Sequence, residues 1–373
     1  MIEGCSPWVH ASTFRDNAYT PELSRAGAAL LVTEGSRALV QGNLFEDNEV
    51  GGSGHGGAVY VDRADPALQG NTFRGNRSAY GGALVTSLAY GPVVGNTFEG
   101  NRGEWEGGAI ALVSSALVLA NNTITDNESI LDGGGVHVCV TCDPHANPAV
   151  VDNHITGNRN TGFGAAGLGA AYLRALSGND LHDNTQDGAP ADLAWHNEHL
   201  DLDPAWAHSP SFSGNWWGTT DAQAIEQTIH DGLDEDGLGV VGVAPADGPV
   251  AEPRTRAFAI PQKIRFTEGD TMPVYLTLYN PGPAREVELL LMVSYEDGPP
   301  LPWTGALAGA EVDGDRWRLE LAEDEVRFAE LTAPELHTDA PRSGAWIAVL
   351  FDPDTGERLA EPATGRFELG GGR

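Results

Sequence analysis

Residues 38–127 repeat nearly the same phrase four times: ALVQGNLFEDN, PALQGNTFRGN, GPVVGNTFEGN and ALVLANNTITDN. A second phrase recurs between them: GGAVYV from Gly56, GGALVT from Gly81 and GGAIAL from Gly107. At such a period each repeat is one small supersecondary unit that cannot bury its own apolar face. Only stacked neighbours can bury it, so the chain is expected to be a solenoid.

Aligned on the first asparagine, the repeat extends over eight copies. Three positions before it stand Val9, Val40, Leu68, Val93, Leu119, Val150, Leu176 and Phe212. At the asparagine itself are Ser12, Asn43, Asn71, Asn96, Asn122, Asn153, Asn179 and Asn215. Two positions later are Phe14, Phe45, Phe73, Phe98, Ile124, Ile155, Leu181 and Trp217, at steps of 31, 28, 25, 26, 31, 26 and 36 residues. Apolar runs are short and cut by Asn and Gly, which excludes helical repeats and favours strands. Each copy reads as strand, Asn bend, strand, Asn turn, loop, then the Gly-Gly strand. Stacking such copies with like residue above like gives an all-β fold, a right-handed parallel β-helix with Asn ladders along its axis. The residue after the aromatic (Arg15, Glu46, Arg74, Glu99) alternates in sign and is expected to form a surface charge ladder.

The solenoid is assigned to residues 1–245. A capping helix is expected near 222–230, with Thr220 or Asp221 as N-cap and Ile225 and Ile229 turned toward the last coil. Residues 246–256 read as a linker rich in Pro, Ala and acid. The period vanishes after it. Short alternating runs punctuated by Asn280-Pro281-Gly282, Asp313-Gly314 and Asp354-Thr355-Gly356 predict an immunoglobulin-like or fibronectin-like β-sandwich over 257–373. At the other end, residues 6–14 already match 90–98 position for position. Met1 is therefore expected to lie inside the solenoid rather than at its natural start.

The Gly-Gly-Ala strand followed by Phe-x-x-Asn (Phe14 to Asn17, Phe45 to Asn48, Phe73 to Asn76, Phe98 to Asn101) resembles the repeats of polymorphic outer-membrane proteins and related bacterial right-handed β-helix proteins. The Asn215-Trp216-Trp217-Gly218 stretch resembles the ending that many secreted β-helix proteins share. The resemblance implies export and an extracellular or outer-surface setting, and it implies no reaction.

With 53 acidic against 21 basic residues and a net charge of -32, nucleic acid and anionic membrane surfaces are excluded as partners. No run is apolar and long enough to insert in a bilayer. Two clusters hold candidate metal ligands. His137, Cys139, Cys142 and His145 offer two imidazoles and two sulfurs for zinc, beside the plainer reading of a disulfide or free thiols in a loop. On that strand Val136 and Val138 are expected to point inward and His137 and Cys139 outward. Asp231, Asp234 and Asp236 form part of a calcium loop, beside the plainer reading of a solvated acidic turn. His55 in Gly54-His55-Gly56 reads as a chance histidine at a repeat glycine. The outward column of the Gly-Gly strand, Tyr60, Val85, Ala111 and His137, holds too few aromatics for a sugar platform. The other break in the repeat carries His196, Glu198, His199, Asp201 and Asp203 and is the best remaining place for a site, with a metal bound by His196, His199, Glu198 and Asp201 standing beside the plainer reading of a polar surface loop.

The columns are cleanest in the middle coils. The chain is thus expected to be an exported or surface β-helix module with a structural, adhesive or binding role and without catalytic residues. Its expected partner is an extracellular glycan or another surface protein. The alternative is a polysaccharide lyase or hydrolase on the same scaffold.

Overall fold

The computed structural model describes residues 1–20, 27–139, 148–170, 173–196, 211–231, 241–249, 254–261, 265–267, 272–295, 299–303, 305–332, 342–360 and 362–370. The chain divides into two compact units, Met1–Ala251 and Glu252–Arg373.

In the first unit every coil contributes to stacked parallel sheets. One sheet of seven strands carries the residues before the first asparagine and another of seven carries the aromatic column. The Gly-Gly strands form a sheet of nine. A fourth sheet, of eight strands, follows the second asparagine, where a loop was expected. It includes Arg77–Tyr80 and Arg102–Glu106. Register is strict: Phe73 stands beside Phe45 on one side and Phe98 on the other. Their rings stack face to face, with centroids 4.8 and 4.6 Å apart. Phe45, Phe73, Phe98, Ile124, Ile155 and Leu181 are all fully buried in one core that runs the length of the unit, and Trp217 closes it.

The asparagines explain the sharpness of that register. From Asn43 to Asn215, each Nδ2 donates to the Oδ1 of the next coil at 2.9–3.0 Å. Each Oδ1 also accepts a backbone N–H; that of Asn71, for example, donates to Asn96. Each amide further bonds a buried backbone carbonyl, such as that of Val40 for Asn71. The second asparagine of each coil builds a parallel ladder from Asn17 through Asn48, Asn76, Asn101, Asn127 and Asn158 to Asn184. Buried bends leave backbone groups without sheet partners, and the amide supplies both donor and acceptor. Asp192 terminates this second ladder by accepting from the side chain and backbone of Asn184.

On the outer side of the aromatic sheet, Glu46 is ion-paired with both Arg15 and Arg74. The Arg74 hydrogen bond, reinforced by Arg15, holds its carboxyl below the usual range.

The end of the solenoid differs from the expected helix over 222–230. The helix covers only Ala222–Glu226, with the Asp221 carboxylate capping the N–H groups of Gln223 and Ala224. Ile225 is buried, but Ile229–His230 is a strand that adds to the Gly-Gly sheet beside Leu193 and Ala194. The Thr228 N–H turns back to the Ile225 carbonyl, which frees the next residues for pairing with the sheet edge.

The second unit is all-β. Arg256–Pro261, Pro273–Asn280 and Glu325–Thr332 form a three-stranded antiparallel sheet. A seven-stranded, mainly antiparallel sheet is built on Arg285–Tyr295 and Arg342–Phe351. Alternate residues of both sheets, among them Val274, Leu276, Leu289, Leu291 and Trp346, share one core.

Candidate functional site at the Gly-Gly corner

Four successive coils turn from the fourth sheet into the Gly-Gly sheet through a glycine pair. The first glycine needs a left-handed backbone, with φ +66° at Gly56, +56° at Gly81, +68° at Gly107 and +61° at Gly133. The second glycine lies against the next coil. A Cβ on Gly57, Gly82 or Gly108 would stand 2.0, 2.2 or 1.9 Å from the carbonyl oxygen of the glycine above it.

This turn brings two rows of side chains together. One row is the residue just before the pair: His55, Tyr80, Glu106 and Asp132, neighbours on successive coils. The other is the outward column of the Gly-Gly sheet: Tyr60, Val85, Ala111, His137, Gly169 and Ala194, also in register. His137 does point away from the main core, as strand alternation requires. The outer face is nevertheless covered at that point, and His137 is only 3% exposed. Tyr60, Val85 and Ala111 form a second small core there, with Tyr80 packed against it.

The N-terminal half of the corner is aromatic. His55 meets Tyr60 edge-on at 6.0 Å and Tyr80 at 4.8 Å, and Tyr80 meets Trp105 edge-on at 4.9 Å. Trp105 is there because of a β-bulge. Ser78 pairs with Gly103 and Tyr80 with Glu106, so Ala79 alone stands opposite Glu104 and Trp105. A bulge of this kind re-aims a side chain. Trp105 is 40% exposed, and exposed apolar residues follow on the next two coils, Ile130 and Phe163. Burial, then the Glu106 charge, raise the Tyr80 phenol above its ordinary value.

The other half is polar. Asp132 lies buried with its Oδ2 3.0 Å from His137 Nδ1 and 3.0 Å from His196 Nε2. Its Oδ1 accepts the Ala165 N–H at 2.8 Å. The carboxylate occupies the space that a side chain at 169 would take, since a Cβ on Gly169 would stand 2.1 Å from Oδ2. Burial alone would push the Asp132 carboxyl up. The hydrogen bonds and charges of His137 and His196 outweigh it and hold the group well below the usual carboxylate range. On the solvent side, Glu106 Oε2 lies 3.3 Å from His137 Nε2, and the Glu106 side chain is one-third exposed. The result is a line from a partly exposed carboxylate through a buried imidazole to a buried carboxylate, an arrangement that can pass a proton between surface and interior.

Of the residues picked from sequence, His137 enters this cluster. Cys139 is disulfide-bonded, which withdraws its sulfur from any thiolate metal shell. Cys142, His145, Asp234 and Asp236 lie outside the described residues, as do Glu198, His199, Asp201 and Asp203. Asp231 is fully buried and accepts the Val241 N–H, so it braces the chain after the cap instead of facing solvent. Among the described residues no group of three or more His, Cys, Asp or Glu side chains is arranged to hold a metal ion.

His196, from the break in the repeat that the sequence marks as a possible site, joins the cluster through Asp132, without the metal set considered for it; His55 reads from sequence as a chance histidine, and Tyr80, Glu106 and Asp132 do not stand out there. A signal was present: the position before each Gly-Gly pair carries His, Tyr, Glu and Asp in turn, while the glycines around it do not change.

No curated protein and no solved structure matches the chain. Among the described residues no helix is long and apolar enough to cross a membrane. The family model described as a right-handed beta helix region matches residues 1–189. The stacked parallel sheets agree with it, and the chain belongs to the right-handed β-helix family.

Proposed function

We propose that the chain is an exported or cell-surface β-helix module, of the polymorphic outer-membrane type, whose Gly-Gly corner binds an extracellular glycan. In this reading the second unit is an immunoglobulin-like or fibronectin-like accessory domain. The observation that carries the binding role is the contiguous set His55, Tyr60, Tyr80 and Trp105, open to solvent at Trp105. Aromatic rings of this kind offer flat apolar faces beside polar tips, which suits the apolar face of a sugar ring. A glycan array with the purified chain tests the reading. Binding to one glycan class that Trp105→Ala abolishes supports it, and equal binding by both proteins refutes it.

A second reading, a carbohydrate-active enzyme, is favoured by one observation: the Glu106, His137 and Asp132 line ends beside those aromatics. There Glu106 would exchange a proton with the bound sugar, with the imidazole that Asp132 orients lying beside it. Turnover of the array-selected glycan by the native chain and not by Glu106→Gln supports it. Binding without turnover leaves the adhesive reading alone.

A further inference from the structure

We infer that the ligand class of the corner is a cationic amino-sugar polymer, a chain of hexosamines with free ammonium groups. The inference rests on the glycan-binding reading and narrows it by charge.

Two carboxylates flank the exposed Trp105 on its strand: Glu104, paired with Arg77, and Glu106, one-third exposed and close enough to Tyr80 for its charge to act there. Behind it Asp132 is taken up by its hydrogen bonds to His137 and His196, so Glu106, 3.3 Å from His137 and one-third exposed, is the carboxylate that a ligand meets. Two guanidinium groups of the same sheet are engaged: Arg77 pairs with Glu104 at 2.5 Å and Arg102 with Glu128 at 2.7 Å. The chain as a whole carries a net charge of -32. A uronate or sulfated glycan would bring a like charge to this carboxylate, and like charges in contact are disfavoured. An ammonium sugar meets it with the opposite sign, and an ammonium group near the Trp105 or Tyr80 face gains a cation–π attraction as well.

Periodicity supports a polymer. Tyr80, Trp105 and Phe163 lie on different coils of one solenoid, whose strands repeat every ~4.8 Å. Such a surface offers one apolar step after another, as a polysaccharide offers one ring after another. A basic peptide also carries cations, but its side chains present no succession of flat ring faces to these aromatics.

The test is calorimetric titration of the full chain at mildly acidic pH. The probes are a fully deacetylated chitooligosaccharide, its N-acetylated counterpart, an oligogalacturonate of equal length, and oligolysine. The expected result is binding of the deacetylated form about tenfold tighter than the acetylated one, or about 1.4 kcal/mol. Glu106→Gln should erase that difference, and Trp105→Ala should weaken both sugars. Equal or tighter binding of the acetylated or uronate oligomer overturns the inference, and so does oligolysine matching the deacetylated sugar. If neither chitooligosaccharide binds while another glycan binds through Trp105, the amino-sugar class falls and the glycan reading stands. If Trp105→Ala affects no glycan, both fall.

Discussion

Along the inner face of the Gly-Gly sheet, Val59, Leu84, Ile110, Val136, Leu168 and Leu193 follow one another in register, all aliphatic and all buried. One residue further along the same strands, on the outer face, the succession is Tyr60, Val85, Ala111, His137, Gly169 and Ala194. The inner column obeys stacking: each side chain packs on its copies above and below, so one odd residue disturbs several coils. The outer column is equally buried at Tyr60, Val85, Ala111 and His137, yet it changes chemical class from coil to coil. Burial without repetition needs another cause. Here the cause is local: aromatic contacts at one end, and at the other a glycine whose missing side chain makes room for a buried carboxylate. Uniformity marks what builds this molecule, and buried variation marks what the scaffold presents.

The comparison breaks first at the core. Phe98→Ala should cost about 3–5 kcal/mol in urea unfolding followed by a solenoid signal, because a fully buried ring stacked on Phe73 leaves a cavity between coils. A loss below about 1 kcal/mol would mean that the inner columns do not hold the fold together.

Asp192 offers a sharper case, a residue in a structural ladder that departs from the repeat. Burial raises its carboxyl to about 6, against the hydrogen bonds from Asn184 that lower it. Its folded pKa thus lies above its unfolded value, so folding takes up a proton between about pH 4 and pH 6. Stability should decline as pH rises through that window. Asp192→Asn would continue the ladder with the residue used elsewhere, and should stabilise the chain by about 1–3 kcal/mol above pH 6 while flattening the slope. Thermal unfolding of both proteins across that range decides it. A slope of the opposite sign would place the Asp192 charge in a favourable setting.

Gly169→Ala sharpens the outer side. The new methyl would collide with Asp132, which the Ala165 N–H and two imidazoles hold in place, so a loss of about 1–3 kcal/mol is expected. The His137 and His196 imidazole resonances should shift together. If stability and both resonances stay unchanged, the carboxylate is not seated at Gly169. The smallest stability effect belongs to Trp105→Ala, within about 0.5 kcal/mol, because that ring packs mainly on Tyr80 at the surface. A large loss there would make the aromatic set a structural cluster.

The scaffold was legible because it is written several times. Phe45, Phe73 and Phe98 at one position, with Asn before and after, leave little choice but stacking in register. The fourth sheet looks like a loop in sequence because its strands vary in length and composition, from Glu49–Val50 to Arg102–Glu106, so no column shows. The site was hidden for a related reason. Column reading rewards sameness, and His55, Tyr80, Glu106 and Asp132 share a position without sharing a residue type. His196 stands out in sequence as part of a break in the repeat, but its partner does not: Asp132 lies 64 residues away, a pairing that only the stacking of coils makes local. The bulge that turns out Trp105 depends on one extra residue in one strand, which period-two alternation does not register.

The most direct test of the division between inner scaffold and outer site is an amide hydrogen-exchange footprint of the full chain with and without its glycan. The account predicts slower exchange on binding at residues 79–85, 102–108 and 131–138, with the aromatic and Asn columns already protected and unchanged. Protection confined to the Arg15, Glu46 and Arg74 face or to the second unit would contradict it and move the binding surface elsewhere.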